Sequence, residues 1–227
     1  AGEPPKALIA PHAGTIYSGP VAASGYSRLA PHRSSITRVL LLGPSHRVPL
    51  RGIGVPSVSA FETPLGEIPL DRATLDSLLA LPQVQQDDAA HRQEHSLEVH
   101  LPFLQEVLGE FRLLPLVVGD ASPEEVSEVL ELLWGGPETL IVISSDLSHY
   151  HDYAVAKKMD RATSHAIETL RYEDIHHDDA CGRNPVSGLL HLARKQGLSV
   201  HTIDLRNSGD TAGTRESVVG YGAYVIE

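Results

Sequence analysis

Short apolar runs alternate along the chain with segments of helical periodicity. Runs of four to eight apolar residues between turn residues are typical of strands buried on both faces of a sheet. The runs predict strands at 7–10, 38–42, 111–118, 139–143, 200–205 and 218–226. Between 51 and 69, Gly, Pro and Ser predict short strands or loop. The alternation predicts one α/β domain over residues 1–227, with a central mixed, mostly parallel sheet flanked by helices.

Helices are predicted where leucines recur at helical spacing or where polar residues precede proline. Ser122 and Glu125 form a capping-box pattern, and Pro102 either kinks the helix that starts at Ser96 or marks its first turn. Ser18 before Pro20 and Asn184 before Pro185 predict two other helix starts. The predicted helices cover 20–30, 71–81, 96–108, 123–134, 154–170 and 184–197.

Three of the predicted strands end in polar residues. His12 follows the first strand, His46 follows the Gly-Pro pair at 43–44, and Asp146 and His149 follow the run at 139–143. The carboxyl ends of strands form the binding crevice of an open α/β sheet, so these side chains are predicted to share one site. Histidine is the commonest metal ligand in proteins, which makes His12 and His46 candidate ligands. The competing interpretation is that both histidines only stabilise turns.

Composition limits the partners. The net charge of -11 over 227 residues, with no basic run, argues against nucleic acid, because Lys and Arg supply most of that affinity. No apolar run approaches the ~20 residues that span a bilayer, and the N-terminal residues lack a signal-peptide pattern. A single cysteine permits no internal disulfide, which fits a reducing compartment. A cytoplasmic protein is expected, without membrane contact.

That cysteine, Cys181, lies just before a predicted helix start and close to Arg183. The partial positive charge of a helix N-terminus and the guanidinium both favour a thiolate, so the sequence predicts a lowered pKa and a ligand-competent sulfur. The alternative is an inert, buried small side chain.

A second motif suggests a different metal chemistry. His91, Glu94 and His95 match the H-x-x-E-H pattern of zinc peptidases, in which two histidines one helical turn apart bind zinc and the glutamate acts as base. The segment precedes the clear apolar helix and is polar, so His91 is also compatible with a solvated loop. A zinc peptidase is therefore a minor alternative.

Five segments in order along the chain resemble the successive motifs of the Memo family, which includes the proteins called AmmeMemoRadiSam system protein B. The segments are Ala10-Pro-His-Ala-Gly14 with Tyr17-Ser-Gly19, Leu42-Gly-Pro-Ser-His46, Glu94-His-Ser-Leu-Glu98 with Leu101-Pro-Phe103, Ser144-Ser-Asp-Leu-Ser-His149, and Ala180-Cys-Gly-Arg183. The Memo family in turn resembles the class III extradiol dioxygenases, which hold non-haem Fe(II) and cleave catecholic rings. The resemblance implies the same α/β fold.

The resemblance also implies residue roles. It places the metal ligands at His12, His46 and Cys181. It places His95, Asp146 and His149 in the same pocket. There His149 is expected to transfer protons, His95 to hydrogen-bond bound oxygen, and Asp146 to orient a histidine. Asp146 could instead cap a following helix.

At Cys181 the sequence departs from the metal-ligand pattern of the extradiol dioxygenases. A thiolate stands where those enzymes carry a carboxylate, and soft sulfur also suits copper or zinc. Two functions therefore remain open: an Fe(II) oxidoreductase acting on a catecholic small molecule, or a module that binds iron or copper without turnover. The second would receive a peptide or a protein partner, such as the radical SAM component that the family name implies.

Overall fold

The computed structural model describes residues 3–227 and contains eleven strands and eight α-helices in that range. The strands are β1 (Ala7–Ala10), β2 (Arg38–Pro44), β3 (Ile53–Val55), β4 (Ala60–Thr63), β5 (Gly66–Pro69), β6 (Val84–Gln86), β7 (Arg112–Val118), β8 (Thr139–Ser144), β9 (His149–His151), β10 (Val200–Asn207) and β11 (Val218–Ile226). The helices are α1 (Thr15–Tyr26), α2 (Arg72–Leu78), α3 (Asp88–Arg92), α4 (His95–Glu98), α5 (Leu101–Leu108), α6 (Pro123–Leu132), α7 (Tyr153–Glu168) and α8 (Arg183–Gln196).

The central sheet has the order β10-β11-β1-β8-β2-β7-β3-β6, and β9 pairs with β11. Its middle strands β1, β8, β2 and β7 are parallel, whereas β11, β10 and β3 join through antiparallel pairs. Helices α1 and α7 pack against β10 and β11, and α8 packs against β2 and β8. The prediction of a mixed, mostly parallel sheet flanked by helices is confirmed.

Continuous apolar sequence explains why the middle strands lie at the centre. Every residue of β1 and β8 is buried, and Leu40, Leu41 and Leu42 of β2 have no exposed surface. Removing a leucine side chain from water contributes about 1.5–3 kcal/mol. A strand with both faces apolar is therefore most stable with neighbours and helices on both sides.

Several element boundaries differ from the prediction. Helix α1 begins at Thr15 with Gly14 as its N-cap, so Pro20 lies inside the helix and Ser18 does not cap it. The helix tolerates Pro20 at the loss of one backbone hydrogen bond. Helix α8 begins at Arg183 with Gly182 as its N-cap, so Asn184 does not cap it.

The other predicted helix starts agree with the structure. The capping box of Ser122 and Glu125 is present at the start of α6. The segment from Ser96 is divided into α4 and α5, and Pro102 occupies the first turn of α5. The sequence reasoning did not identify β6, α3 or β9, which are short. Over residues 3–227, no helix is both long and apolar enough to cross a membrane.

Candidate metal centre

Three adjacent parallel strands position the candidate ligands. Strands β1 and β2 flank β8, with Ala10 opposite Ser144 and Leu42 opposite Ile143. In each case the second residue after the end of the strand is polar. Those side chains are His12 after β1, Asp146 after β8 and His46 after β2. The prediction that these residues follow neighbouring strand ends is confirmed.

Two groups of possible ligand atoms share His12. One group is His12, His46 and His95, and the other is His12, Asp146 and Cys181; within each group the ligand atoms lie within 4.8 Å of one another. The three imidazole rings form a compact triangle, with centroid separations of 5.2, 5.5 and 5.2 Å. Imidazole nitrogen and thiolate sulfur are both ligands for transition metals, so this donor set fits such an ion.

His46 is oriented by Glu94, the N-cap residue of α4. The Nδ1 atom of His46 lies 2.8 Å from Oε1 of Glu94, and the backbone N–H of His46 donates to the same carboxylate. Burial alone would raise the pKa of Glu94, but the hydrogen bonds from His46 and Ser96 outweigh it and lower the pKa to about 2. A charged acceptor at Nδ1 leaves Nε2 of His46 free to bind a metal.

His12 is held more tightly than His46, with only 2% of its surface exposed. Its Nδ1 atom lies 2.6 Å from Oγ of Ser144, and its backbone N–H donates to Asp146 at 2.8 Å. Burial, followed by the charges of His46 and His95, lowers the pKa of His12 to about 3. The ring is therefore neutral near pH 7, as metal ligation requires.

Cys181 contacts His12, with Sγ 3.4 Å from Nε2, and accepts the backbone N–H of Asp146. The predicted lowering of its pKa is wrong, because burial and the nearby charge of Asp146 raise the pKa of the thiol to about 12. Arg183 is exposed, so solvent screens the charge that was expected to stabilise the thiolate. Without a metal, Cys181 is a neutral thiol near pH 7.

Asp146 binds the backbone of His12 through Oδ1, and its Oδ2 lies 3.8 Å from Nε2 of His12. Burial raises the pKa of this carboxyl. The alternative that Asp146 caps a helix is wrong, because the next helix, α7, begins at Tyr153 and is capped by Asp152. Asp146 therefore connects the end of β8 to the end of β1.

His149 begins β9 and is half-buried. It lies three residues after Asp146, and it belongs to neither group of possible ligand atoms. The following residue, Tyr150, has a φ of 63° and 76% of its surface exposed. That conformation is uncommon for a residue with a side chain and turns Tyr150 towards solvent.

His91 lies apart from the cluster. Helix α3 ends at Arg92, so His91 and His95 are not on one continuous helix, as the peptidase motif requires. The Nε2 atom of His91 donates instead to the carbonyl of Gly54 at 2.8 Å. The zinc-peptidase interpretation is therefore wrong for this segment, and the solvated-loop interpretation is wrong as well, because His91 is in a helix and partly buried.

A cleft of about 450 Å³ shares Glu94 with the histidine cluster. Its other walls come from β4 and the segment before it and from α3, α4 and α5, and include Phe61, Leu97 and Leu101. The cleft therefore adjoins the carboxylate that orients His46, and neither His12 nor Cys181 lines it.

The sequence reasoning missed two buried residues beside the candidate ligands. Ser144 bonds the His12 ring, and His100 contacts Ser144 at 2.9 Å. Burial lowers the pKa of His100 to about 3, so it is neutral. Ser144 directly follows a predicted strand and begins one of the family motifs, so its position is a signal for a role beside the ligands. His100 lies between α4 and α5 and had no such signal, because its partners are distant in sequence.

We predict that metal affinity depends on pH if Cys181 is a ligand. Binding must then release the thiol proton, so between about pH 7 and 8.5 the apparent affinity should rise by about tenfold per pH unit. His12 adds no slope because its pKa of about 3 leaves it unprotonated in this range. A competition titration with a chromophoric chelator and Co(II) measures the slope.

The variant Cys181→Ser should lose that pH slope, and His95→Ala should keep it. A flat profile in the unchanged protein would instead favour His95 as the third ligand beside His12 and His46.

The sequence is similar to one family model and to several curated proteins. The family model described as Memo-like protein matches residues 1–225. A MEMO1 family protein of Thermotoga neapolitana is 37% identical over 96% of this chain and 81% of its own length. One from Aquifex aeolicus is 37% identical over 96% of this chain and 84% of its own length. One from Ignicoccus hospitalis is 38% identical over 95% of this chain and 80% of its own length.

A solved structure supports the fold alone. An uncharacterized protein from Escherichia coli K12 superposes with a TM-score of 0.58 and 16% identity, covering 95% of this chain and 98% of that chain. The family match extends over nearly the whole sequence and includes every residue of the cluster. The chain therefore belongs to the Memo-like protein family.

Proposed function

We propose that this chain is an Fe(II)-dependent dioxygenase of the extradiol type, acting on a catecholic small molecule. The observation that supports this best is the meeting of His12 and His46, at the carboxyl ends of parallel strands, with His95 at the start of α4. The Nδ1 atoms of His12 and His46 are both hydrogen-bonded, which leaves two Nε2 atoms as ligands. Two protein ligands and a third donor leave open positions for substrate and oxygen.

The proposed ligand set is His12, His46 and Cys181, with His95 as the competing third donor. The contact between Sγ of Cys181 and Nε2 of His12 supports the first set. The close ligand atoms of His12, His46 and His95 support the second. If the first set holds the ion, the imidazole of His95 would remain free to donate a hydrogen bond to O2 or to the substrate.

The bound ion would supply redox and Lewis-acid chemistry towards O2 and the catecholic oxygens. The chain's own residues have three tasks. Asp146 fixes the backbone of His12, so the first ligand is held in place before substrate arrives. The burial of His12 beside the half-buried Cys181 limits the access of water from one side of the site. His149 accepts a proton from a substrate hydroxyl and returns it later in the reaction.

A second candidate is a module that holds iron or copper without turnover. The half-buried thiol beside His12 favours this candidate, because sulfur suits Cu(I) and is easily oxidised when oxygen reacts nearby. A protein partner, such as a radical SAM enzyme, would then receive the metal or bind over the site.

Oxygen consumption by Fe(II)-loaded protein tests the proposal. With a panel of catechols in air, we expect one O2 consumed for each ring cleaved, with both oxygen atoms in a yellow ring-opened product. Protein loaded with Zn(II) is the control, because zinc has no redox chemistry and should give no product. If no catechol is cleaved although Fe(II) binds stoichiometrically, the dioxygenase proposal fails and the metal-holding candidate takes its place.

A further inference from the structure

A chain of buried hydrogen bonds leads from His12 of the candidate metal centre to Tyr26 at the end of α1. His12 contacts Ser144, Ser144 contacts His100, and His100 contacts Tyr26, with distances of 2.6, 2.9 and 2.6 Å. The Ser144 hydroxyl also lies 2.6 Å from the backbone carbonyl of Ser96. All five residues are at most 2% exposed, so water does not compete for these bonds.

The donors and acceptors of Ser144 have only one consistent arrangement. A carbonyl oxygen can only accept, so the single hydroxyl proton of Ser144 is donated to Ser96. The Ser144 oxygen then has two lone pairs for its two other neighbours. Nδ1 of His12 and Nε2 of His100 must therefore both donate to it.

This arrangement determines both imidazole tautomers. His12 carries its proton on Nδ1, so Nε2 presents a lone pair towards Cys181 and the other candidate ligands. His100, which is neutral, carries its proton on Nε2, so its Nδ1 accepts the hydroxyl proton of Tyr26. Because Tyr26 donates to Nδ1 of His100, the proton of that ring stays on Nε2. Nε2 therefore cannot accept the Ser144 proton.

We infer that Ser144 is a positioning residue that fixes the tautomer of His12 for metal binding, and that His100 and Tyr26 hold Ser144 in that role. The opposite tautomer would place a proton on Nε2 of His12, where a metal would bind. It would also draw the Ser144 proton to Nδ1 of His12 and leave the buried carbonyl of Ser96 without its donor, which is unfavourable away from water. The inference rests on metal binding by His12 and is independent of catechol turnover.

Nitrogen-15 NMR of the histidine side chains in metal-free protein tests the tautomers directly. We expect His12 to show a protonated Nδ1 and His100 a protonated Nε2, with signals assigned by comparison with His12→Gln and His100→Gln. A protonated Nε2 on His12 would overturn the inference. The tautomers are read from the unchanged protein, and the two variants serve only to assign its signals.

The variant Ser144→Ala tests the consequence for binding. Loss of a partner that orients a ligand typically lowers metal affinity by about 10- to 100-fold. We expect a decrease in this range in Ser144→Ala, together with a mixed tautomer at His12. The control is Ser164→Ala, which removes a buried hydroxyl of α7 that contacts Tyr224 of β11 at 2.5 Å. This variant should leave the metal affinity unchanged.

Equal affinity in Ser144→Ala and Ser164→Ala, at comparable thermal stability, would overturn the inference. Lower affinity in Ser144→Ala alone supports it, whether or not any catechol is cleaved by the protein. Failure of the dioxygenase proposal therefore remains distinguishable from failure of this inference.

Discussion

His12→Ala is expected to abolish stoichiometric metal binding. His12 is the only residue shared by both groups of possible ligand atoms in residues 3–227. Its removal therefore disrupts the site whether the third ligand is Cys181 or His95. The loss of affinity should exceed the ~10- to 100-fold typical of changes at residues that only orient ligands. Elemental analysis after dialysis against Fe(II) or Co(II) measures the metal content.

His91→Ala is the matched control, because it removes an imidazole that is close in sequence to the cluster but bonds to Gly54. Metal content should stay unchanged in this variant. Equal losses in His12→Ala and His91→Ala would contradict the assigned centre and would return attention to the pairing of His91 with His95.

The sheet and one side of the site could be predicted because their signals are local. An apolar run that ends in a turn and a polar residue is visible within about ten residues, and the carboxyl ends of parallel strands meet at one edge. His12, His46 and Asp146 follow this rule, and the structure places them after β1, β2 and β8. The order of those three strands did not have to be known for the site to be inferred.

The electrostatic environment could not be predicted in the same way. The pKa of Cys181 depends on its burial and on Asp146, which is 35 positions away in the sequence. Local sequence showed only the helix start and Arg183, both of which suggest a lower pKa. Burial dominates because it removes the thiolate from water, and only the folded chain shows how deeply the sulfur lies.

The orienting partners of the ligands were hidden for a related reason. Glu94 belongs to a recognisable motif, but its contact with His46 joins positions 48 residues apart, so the sequence does not show that the two residues meet. The contact between His100 and Ser144 joins positions 44 apart, and His100 follows no strand end. The predicted start of α1 is wrong for a local reason. Proline usually lies in the first turn of a helix, but α1 begins five residues before Pro20.

His149→Gln is expected to lower catechol turnover by about 10²- to 10⁴-fold, the usual contribution of a general acid or base, without changing metal content. Glutamine keeps a hydrogen-bonding side chain but cannot exchange a proton near neutral pH. His149 begins β9 three residues after Asp146, and its side chain is half-buried, so it can exchange protons beside the candidate ligands without being one of them. Steady-state kinetics with parallel metal analysis measure both quantities.

His151→Gln is the control, because His151 is in the same short strand β9 and pairs with β11 as His149 does. If His149 only stabilises the segment after β8, both variants should lower the melting temperature, and turnover should fall no more than the folded fraction. If His149 transfers the proton, only His149→Gln should lower kcat, and the pH profile of kcat should lose one of its limbs. A kcat in His149→Gln within twofold of the unchanged enzyme would contradict the proton-transfer role.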